Sequence, residues 1–177
     1  MSKPTLATIW LDGCSGCHMS LLDMDERLVE LGEQFELVYS PLVDYKQFPA
    51  HVDVALVEGS VSSDEDEHKI RHVRAHTRVL VSLGDCAVTG NVPAMRNSVP
   101  VPELLACVYK GNGLLQQQVP TERLPSLLTH ARPVHEIVNV DLYVPGCPPS
   151  ADTIYTVISE LLAGRVPDVA ALSRFGA

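Results

Sequence analysis

Positive charge is scarce in this chain. Lysine and arginine total 13 against 22 aspartates and glutamates in 177 residues, a formal net charge of −9. Nucleic acids and anionic membrane surfaces are bound through Lys and Arg, so this balance points away from both. Long apolar runs are missing as well; none approaches the roughly 20 residues that a membrane-crossing helix needs. The first strand-like segment begins by Thr5 and leaves no room for a secretory or twin-arginine leader. Five cysteines, an odd number, suit ligands plus a spare better than a disulfide framework. No repeat or low-complexity segment is visible. Gly111-Asn112-Gly113 neither follows a strand nor opens a helix, so it is a turn and not a dinucleotide fingerprint. No P-loop and no Ser/His/Asp or Cys/His nucleophile arrangement stands out. These absences lead us to expect a soluble, cytoplasmic protein. Its hydrophobic content of 46% exceeds the needs of one core and hints at a large buried subunit interface.

What is present alternates between strand and helix. Residues 5–11 read as a buried strand, followed by a DGCSGC turn and a helix from about Cys17 to Leu31. Leu21, Met24, Leu28 and Leu31 share one face of that helix, and Gly32 sits where a C′ glycine belongs. Further strands are expected at 35–39, 52–57, 77–83 and about 137–144. A charged, exposed helix is expected over 64–76, with acids at its start and bases near its end as the macrodipole prefers. A last amphipathic helix starts with Ser150 as N-cap and uses Ile154, Val157, Ile158, Leu161 and Leu162. The alternation implies a doubly wound parallel sheet, flavodoxin-like, forming a single domain over 1–177. Between Asn91 and His135 the pattern breaks at Pro93, Pro100, Pro102, Pro120, Pro125 and Pro133, with a short helix around 102–109. An irregular insertion this long, about 91–135, is usually functional.

Three strand-like segments run into a glycine-containing turn and a cysteine. They end in Asp12-Gly13-Cys14, Gly84-Asp85-Cys86 and Pro145-Gly146-Cys147, and the first turn also carries Cys17. If the strands are parallel, Cys14, Cys17, Cys86 and Cys147 meet at one sheet edge, where open α/β sheets bind ligands. Four convergent thiolates suit an iron–sulfur cluster. A zinc knot or inert thiols are the other readings, although compact zinc knots mostly pair two C-x2-4-C units and only one is present here. The neighbouring glycines let N–H groups approach the sulfurs, and the helix after Cys17 points its positive end at the same place.

Other residues stand beside these. Cys107, with apolar flanks, reads as a small buried hydrophobe. Glu58 closes a strand where three others place cysteine; it is a candidate proton relay or an acceptor for N–H groups near the cluster, against a solvated loop acid. His18 adjoins Cys17 and either donates a hydrogen bond or packs. His68, His72 and His76 share a helical face at spacing that could hold zinc, but their charged neighbours favour a solvated surface.

The segments Ile9 to Ser20, Glu58-Gly59-Ser60, Gly84 to Gly90 and Val144 to Pro149 together resemble the small subunit of [NiFe] hydrogenases, with the soluble bidirectional NAD-reducing type most similar. The resemblance runs from residue 5 to about 162. It implies that Cys14, Cys17, Cys86 and Cys147 bind one proximal [4Fe–4S] cluster with Glu58 nearby, and that 91–135 contacts the large subunit. It further implies a Ni–Fe centre on that large subunit. A diaphorase module would carry FMN, NAD(H) and further iron–sulfur clusters. The expected function is electron transfer between the Ni–Fe centre and that module. Membrane-bound and periplasmic relatives have a leader and a cysteine-rich C-terminal extension, and neither is seen here. The cluster subunit of respiratory complex I has a similar fold but uses an adjacent Cys-Cys pair, so the spacing of Cys14 and Cys17 favours hydrogenase. Sulfur-reducing and methanogen-type hydrogenases share the spacing. A zinc-stabilised module and a flavodoxin-like FMN carrier are alternatives of other classes.

Overall fold

The computed structural model describes residues 3–113 and 115–173. Alternating apolar segments dictate the centre of the fold. Strands β1 (Thr5–Trp10), β2 (Glu36–Tyr39), β3 (Val52–Glu58), β5 (Thr77–Leu83) and β7 (Leu142–Val144) form one sheet in the order β2-β1-β3-β5-β7, all pairs parallel. A separate antiparallel ribbon joins β4 (Val61–Ser63) to β6 (Leu127–Arg132). With the ribbon set aside, the order is that of a flavodoxin-like sheet, and its direction of winding reverses between β1 and β3.

Successive strand side chains point to opposite faces, and both faces are covered, as a parallel sheet requires. On one face Leu6, Val54, Leu56, Val81 and Leu83 pack with Leu21, Met24, Leu31, Ile154, Val157 and Ile158. These last come from α1 (Gly16–Leu22), α2 (Glu26–Gly32) and α7 (Ala151–Leu162), with Met24 in the turn between the first two. On the other face Ala7, Ile9, Ala55, Val57 and Leu80 pack with Ile70 and Val73 of α3 (Asp64–Ala75) and with Val134. Ser63 caps α3 reciprocally with Asp66, and Ser150 caps α7 by accepting from Thr153 N at 3.2 Å. After α7 comes the short α8 (Val169–Leu172).

Several expectations need correction. The helix expected from Cys17 to Leu31 is two helices, because Asp25 takes a positive φ of 51° and breaks the ladder. The core-facing leucines survive the break because each half keeps its own apolar face. Gly32 is the last helical residue, and Glu33 after it stays right-handed, so no C′ glycine turn forms. The strand expected over 137–144 shortens to its last three residues. Ile137 N and Val138 N instead bond back to Val134 O at 3.0 and 3.1 Å, so that backbone is satisfied locally. The stretch 91–135 is less irregular than its prolines imply. After α4 (Asp85–Thr89) it holds α5 (Asn91–Ala94), a 3₁₀ turn at Met95–Ser98, α6 (Val101–Ala106), a π turn at Cys107–Gly111, and β6. Cys107 is exposed rather than buried, because that π turn lies outside both core clusters.

Candidate metal centre

The three cysteine-bearing turns leave the carboxyl ends of β1, β5 and β7, and Glu58 ends β3 between them. This crevice contains the point between β1 and β3 where the winding reverses, the expected ligand position of such a sheet. Cys14, Cys17, Cys86, Cys147 and Glu58 line one small cavity there, together with Gly16, Asp85, Gly146 and Pro148. Cys17 is buried, Cys86 half-buried, and Cys14 and Cys147 exposed.

Main-chain bonds lock the turns together. Leu11 N donates to Glu58 O at 2.9 Å, and Asp12 and Ser60 exchange N–H···O bonds at 3.1 and 2.8 Å. The turn after β3 therefore clamps the turn after β1. Gly59 is required there: its φ is 93°, and a Cβ would lie 2.8 Å from the Leu11 carbonyl carbon. The turns after β5 and β7 are clamped similarly. Asp85 N donates to Gly146 O at 2.8 Å, and Gly146 N donates to Asp85 Oδ1 at 2.7 Å. Asp85 is a functional residue that sequence reasoning did not single out, although its place in Gly84-Asp85-Cys86 was visible. Ser20 Oγ donates to Pro149 O at 2.6 Å and ties α1 to the last turn.

Glu58 is 2% exposed and is no solvated loop acid. Its carboxylate accepts from His18 N at 3.0 Å and from Cys17 N at 3.4 Å, and it meets His18 Nδ1. The carboxylate thus caps the start of α1, where Ser15 supplies no side-chain bond. The first residues of α1, Gly16 and Cys17, line the cavity as expected, and two of the leading N–H groups there are taken by Glu58. His18, 3% exposed, continues the network: Nε2 lies 3.1 Å from Thr8 Oγ1, which lies 2.7 Å from the buried Ser40 Oγ. The adjacency of His18 to Cys17 was legible, but its partners 10 and 40 residues away were not.

Electrostatics at the thiols oppose charge in the absence of a counter-ion. Burial pushes the Cys17 thiol strongly up, and the neighbouring Glu58, Cys86, Cys14 and Cys147 push it further. Burial likewise raises Cys86, with Cys147 and Cys14 adding to the rise. Sulfur groups this close become thiolates together only around a cationic centre. Among the described residues, no three His, Cys, Asp or Glu side chains are grouped to grip one ion. The thiols instead surround a shared space, and an added Cβ at Gly84 (φ 82°) would overlap Cys17 Sγ. An all-sulfur donor set around a space cleared by glycine fits an iron–sulfur cluster.

His68 and His72 lie on exposed α3. His76 Nδ1 bonds the His72 carbonyl at 2.8 Å, and His72 packs edge-on against Phe48. The three histidines do not converge on a shared centre.

The family model described as NADH ubiquinone oxidoreductase, 20 Kd subunit, matches residues 14–161, a span that includes all four site cysteines. The chain is 41% identical over 172 residues to NAD-reducing hydrogenase HoxS subunit delta of Cupriavidus necator, covering 94% of this chain and 82% of that protein. It is 38% identical over 161 residues to a subunit of the vhu F420-non-reducing hydrogenase of Methanocaldococcus jannaschii; there it covers 90% of itself and spans only 56% of the relative's length. Among solved structures, a chain of an NAD+-reducing [NiFe]-hydrogenase in the H2-reduced state superposes with a TM-score of 0.93 at 43% identity, covering 98% of this chain and 99% of that one. A [NiFeSe]-hydrogenase of Dm. baculatum, at 18% identity, TM-score 0.59 and coverage of 93% and 62%, shares the fold alone. The chain belongs to the family of the NADH ubiquinone oxidoreductase 20 Kd subunit, among its hydrogenase small subunits.

Proposed function

We propose that this chain is the electron-transfer small subunit of an NAD+-reducing [NiFe] hydrogenase, and that 1–177 works as one iron–sulfur-binding domain. The observation that carries the reading is the convergence of four thiols on the cavity at the winding reversal. Cys14, Cys17, Cys86 and Cys147 would hold one [4Fe–4S] cluster, which when bound accepts and releases one electron at a time. The rest of the site positions those thiols: Glu58 caps the turn of Cys17, Asp85 joins the turns of Cys86 and Cys147, and Gly84 leaves room for Cys17.

Cys14 and Cys147 face the surface, and the flanking elements carry exposed Trp10, Val92, Met95 and Tyr143. An exposed apolar rim beside a redox site suits a permanent partner. The partner is the large subunit with the Ni–Fe centre, and 91–135 contributes to that contact. Electrons pass on to diaphorase subunits with FMN, NAD(H) and further iron–sulfur clusters, so that H2 + NAD+ gives H+ + NADH. The exchange with NAD(H) puts the assembly in the cytoplasm. No described helix is long and apolar enough to cross a membrane.

The test is metal analysis of the complex that co-purifies with this chain under anaerobic conditions. Nickel with iron and acid-labile sulfide, and H2-dependent NAD+ reduction, are expected. Iron and sulfide without nickel would favour the quinone-reductase branch, and zinc alone would overturn the redox account.

Glu58 takes a second role in this reading, as a proton relay. It is buried and linked by hydrogen bonds through His18 and Thr8 to Ser40. In Glu58→Gln, cluster iron should stay at the wild-type level while H2 oxidation slows about 10²-fold, the low end for a positioned proton-transfer group. Undiminished H2 oxidation would remove the relay and leave Glu58 as the cap of α1.

A further inference from the structure

Asn91 carries no signal in the sequence pattern. It opens α5 directly after Gly90, and its φ is 33°, on the positive side that non-glycine residues seldom adopt and asparagine tolerates best. This backbone turn brings its side chain back over the metal centre, where Nδ2 lies 3.5 Å from Cys147 Sγ. Among the described residues, no other side-chain donor reaches Cys14, Cys17, Cys86 or Cys147. The Asn91 amide therefore serves the ligand that follows β7, from the exposed rim of the site.

We propose that the Asn91 side-chain amide is a potential-setting donor of the iron–sulfur cluster, acting on the sulfur of Cys147. The inference rests on the iron–sulfur reading given above. An N–H···S bond stabilises the more negative, reduced cluster more than the oxidised one, so each such bond raises the midpoint potential. Asn91 holds the potential up in a site where buried Glu58 and four thiolates push it down. Its position at the rim also places the bond where a docking partner excludes water and strengthens it.

Two substitutions isolate the amide. Asn91→Gly accepts the positive φ without strain and removes only the donor. Asn91→Asp keeps the size but puts a carboxylate against the sulfurs. The experiment is an EPR-monitored redox titration of the purified complex, wild type and both variants, with iron and sulfide counted per chain. Unchanged iron and sulfide with a lower midpoint potential in Asn91→Gly, and a still lower one in Asn91→Asp, are expected. Full iron and sulfide with an unchanged potential in both variants would overturn the inference while leaving the cluster reading intact. A wild-type complex in which this chain holds no iron and sulfide would overturn the cluster reading itself, and the inference with it. Should neither variant assemble, the wild-type complex labelled with 15N-asparagine decides the matter by pulsed EPR. A nitrogen coupling to the reduced cluster that changes with the label supports the bond, and a spectrum indifferent to the label overturns it.

Discussion

Gly84 is the residue at which the fold and the metal centre compete for the same space. Its φ of 82° and ψ of 160° lie in a region essentially reserved for glycine, where a Cβ costs roughly 1–3 kcal/mol, and the Cβ would also overlap Cys17 Sγ. Gly84→Ala should therefore displace Cys17 and reduce cluster loading well beyond its effect on folding. Iron and sulfide per chain, read beside the thermal midpoint of the same sample, checks this; full loading would show that the sulfur can move aside. Glu58 is constrained from the opposite direction. Its oxygens answer two main-chain donors and a ring nitrogen, and leaving one buried donor unpaired costs about 1–3 kcal/mol. The identity of Glu58 as a crevice residue was legible in the sequence, because it closes a strand in step with the three cysteine turns. That it caps the helix after Cys17 was not legible, because no local pattern joins positions 40 residues apart.

At the scale of elements, the parallel pairing of β1 with β3 is secured at its start by a side chain. Asp53 accepts from Thr5 N at 2.9 Å and Thr5 Oγ1 at 3.0 Å, and Asp53 N returns a bond to Thr5 Oγ1 at 2.9 Å. The Thr5 main-chain bond, with the Thr5 hydroxyl, Arg78 and His51 adding, holds the Asp53 carboxyl below its ordinary 3.8. A carboxyl lowered on folding stabilises fully above its unfolded pKa, and that contribution is lost as pH falls through the folded one. Asp53→Asn should destabilise the chain at neutral pH by about 1 kcal/mol, a charged hydrogen bond discounted for partial exposure. It should also flatten the acid limb of the stability curve below pH 3.8. Urea unfolding at neutral and acid pH measures both, and an unchanged acid limb would place the pH sensitivity elsewhere. Element existence was well signalled by apolar runs and capping residues such as Ser150. The break at Asp25 and the ribbon of β4 with β6 were not, because a single residue at positive φ and a pairing 64 or more residues apart leave no periodicity.

At the scale of the whole molecule, a cluster held by the four cysteines would join the turns after β1, β5 and β7, and its binding energy would add to folding. Oxidative removal of the cluster should lower the thermal midpoint of the purified complex, and rebuilding with iron and sulfide should restore it. A midpoint indifferent to iron content would mean that the turns hold themselves. Burial raises the thiols of Cys17 and Cys86, which keeps them protonated until a cluster displaces the protons. Each ligation displaces a proton, so apparent affinity should fall about tenfold per pH unit for each proton released as the solution is acidified. Iron bound per chain after reconstitution at pH 6 and pH 8 tests the sign.

The sequence by itself determined the parallel strands, the cysteines at their ends and the crevice that gathers them, because strand period and turn chemistry are local. Only the tertiary structure decided that Glu58 caps the turn of Cys17, that Asp85 clasps Gly146, and that Asn91 reaches back to Cys147. Those contacts exist because a parallel sheet brings distant strand ends to one edge. Their partners are fixed by strand order, which hydrophobic pattern alone does not encode.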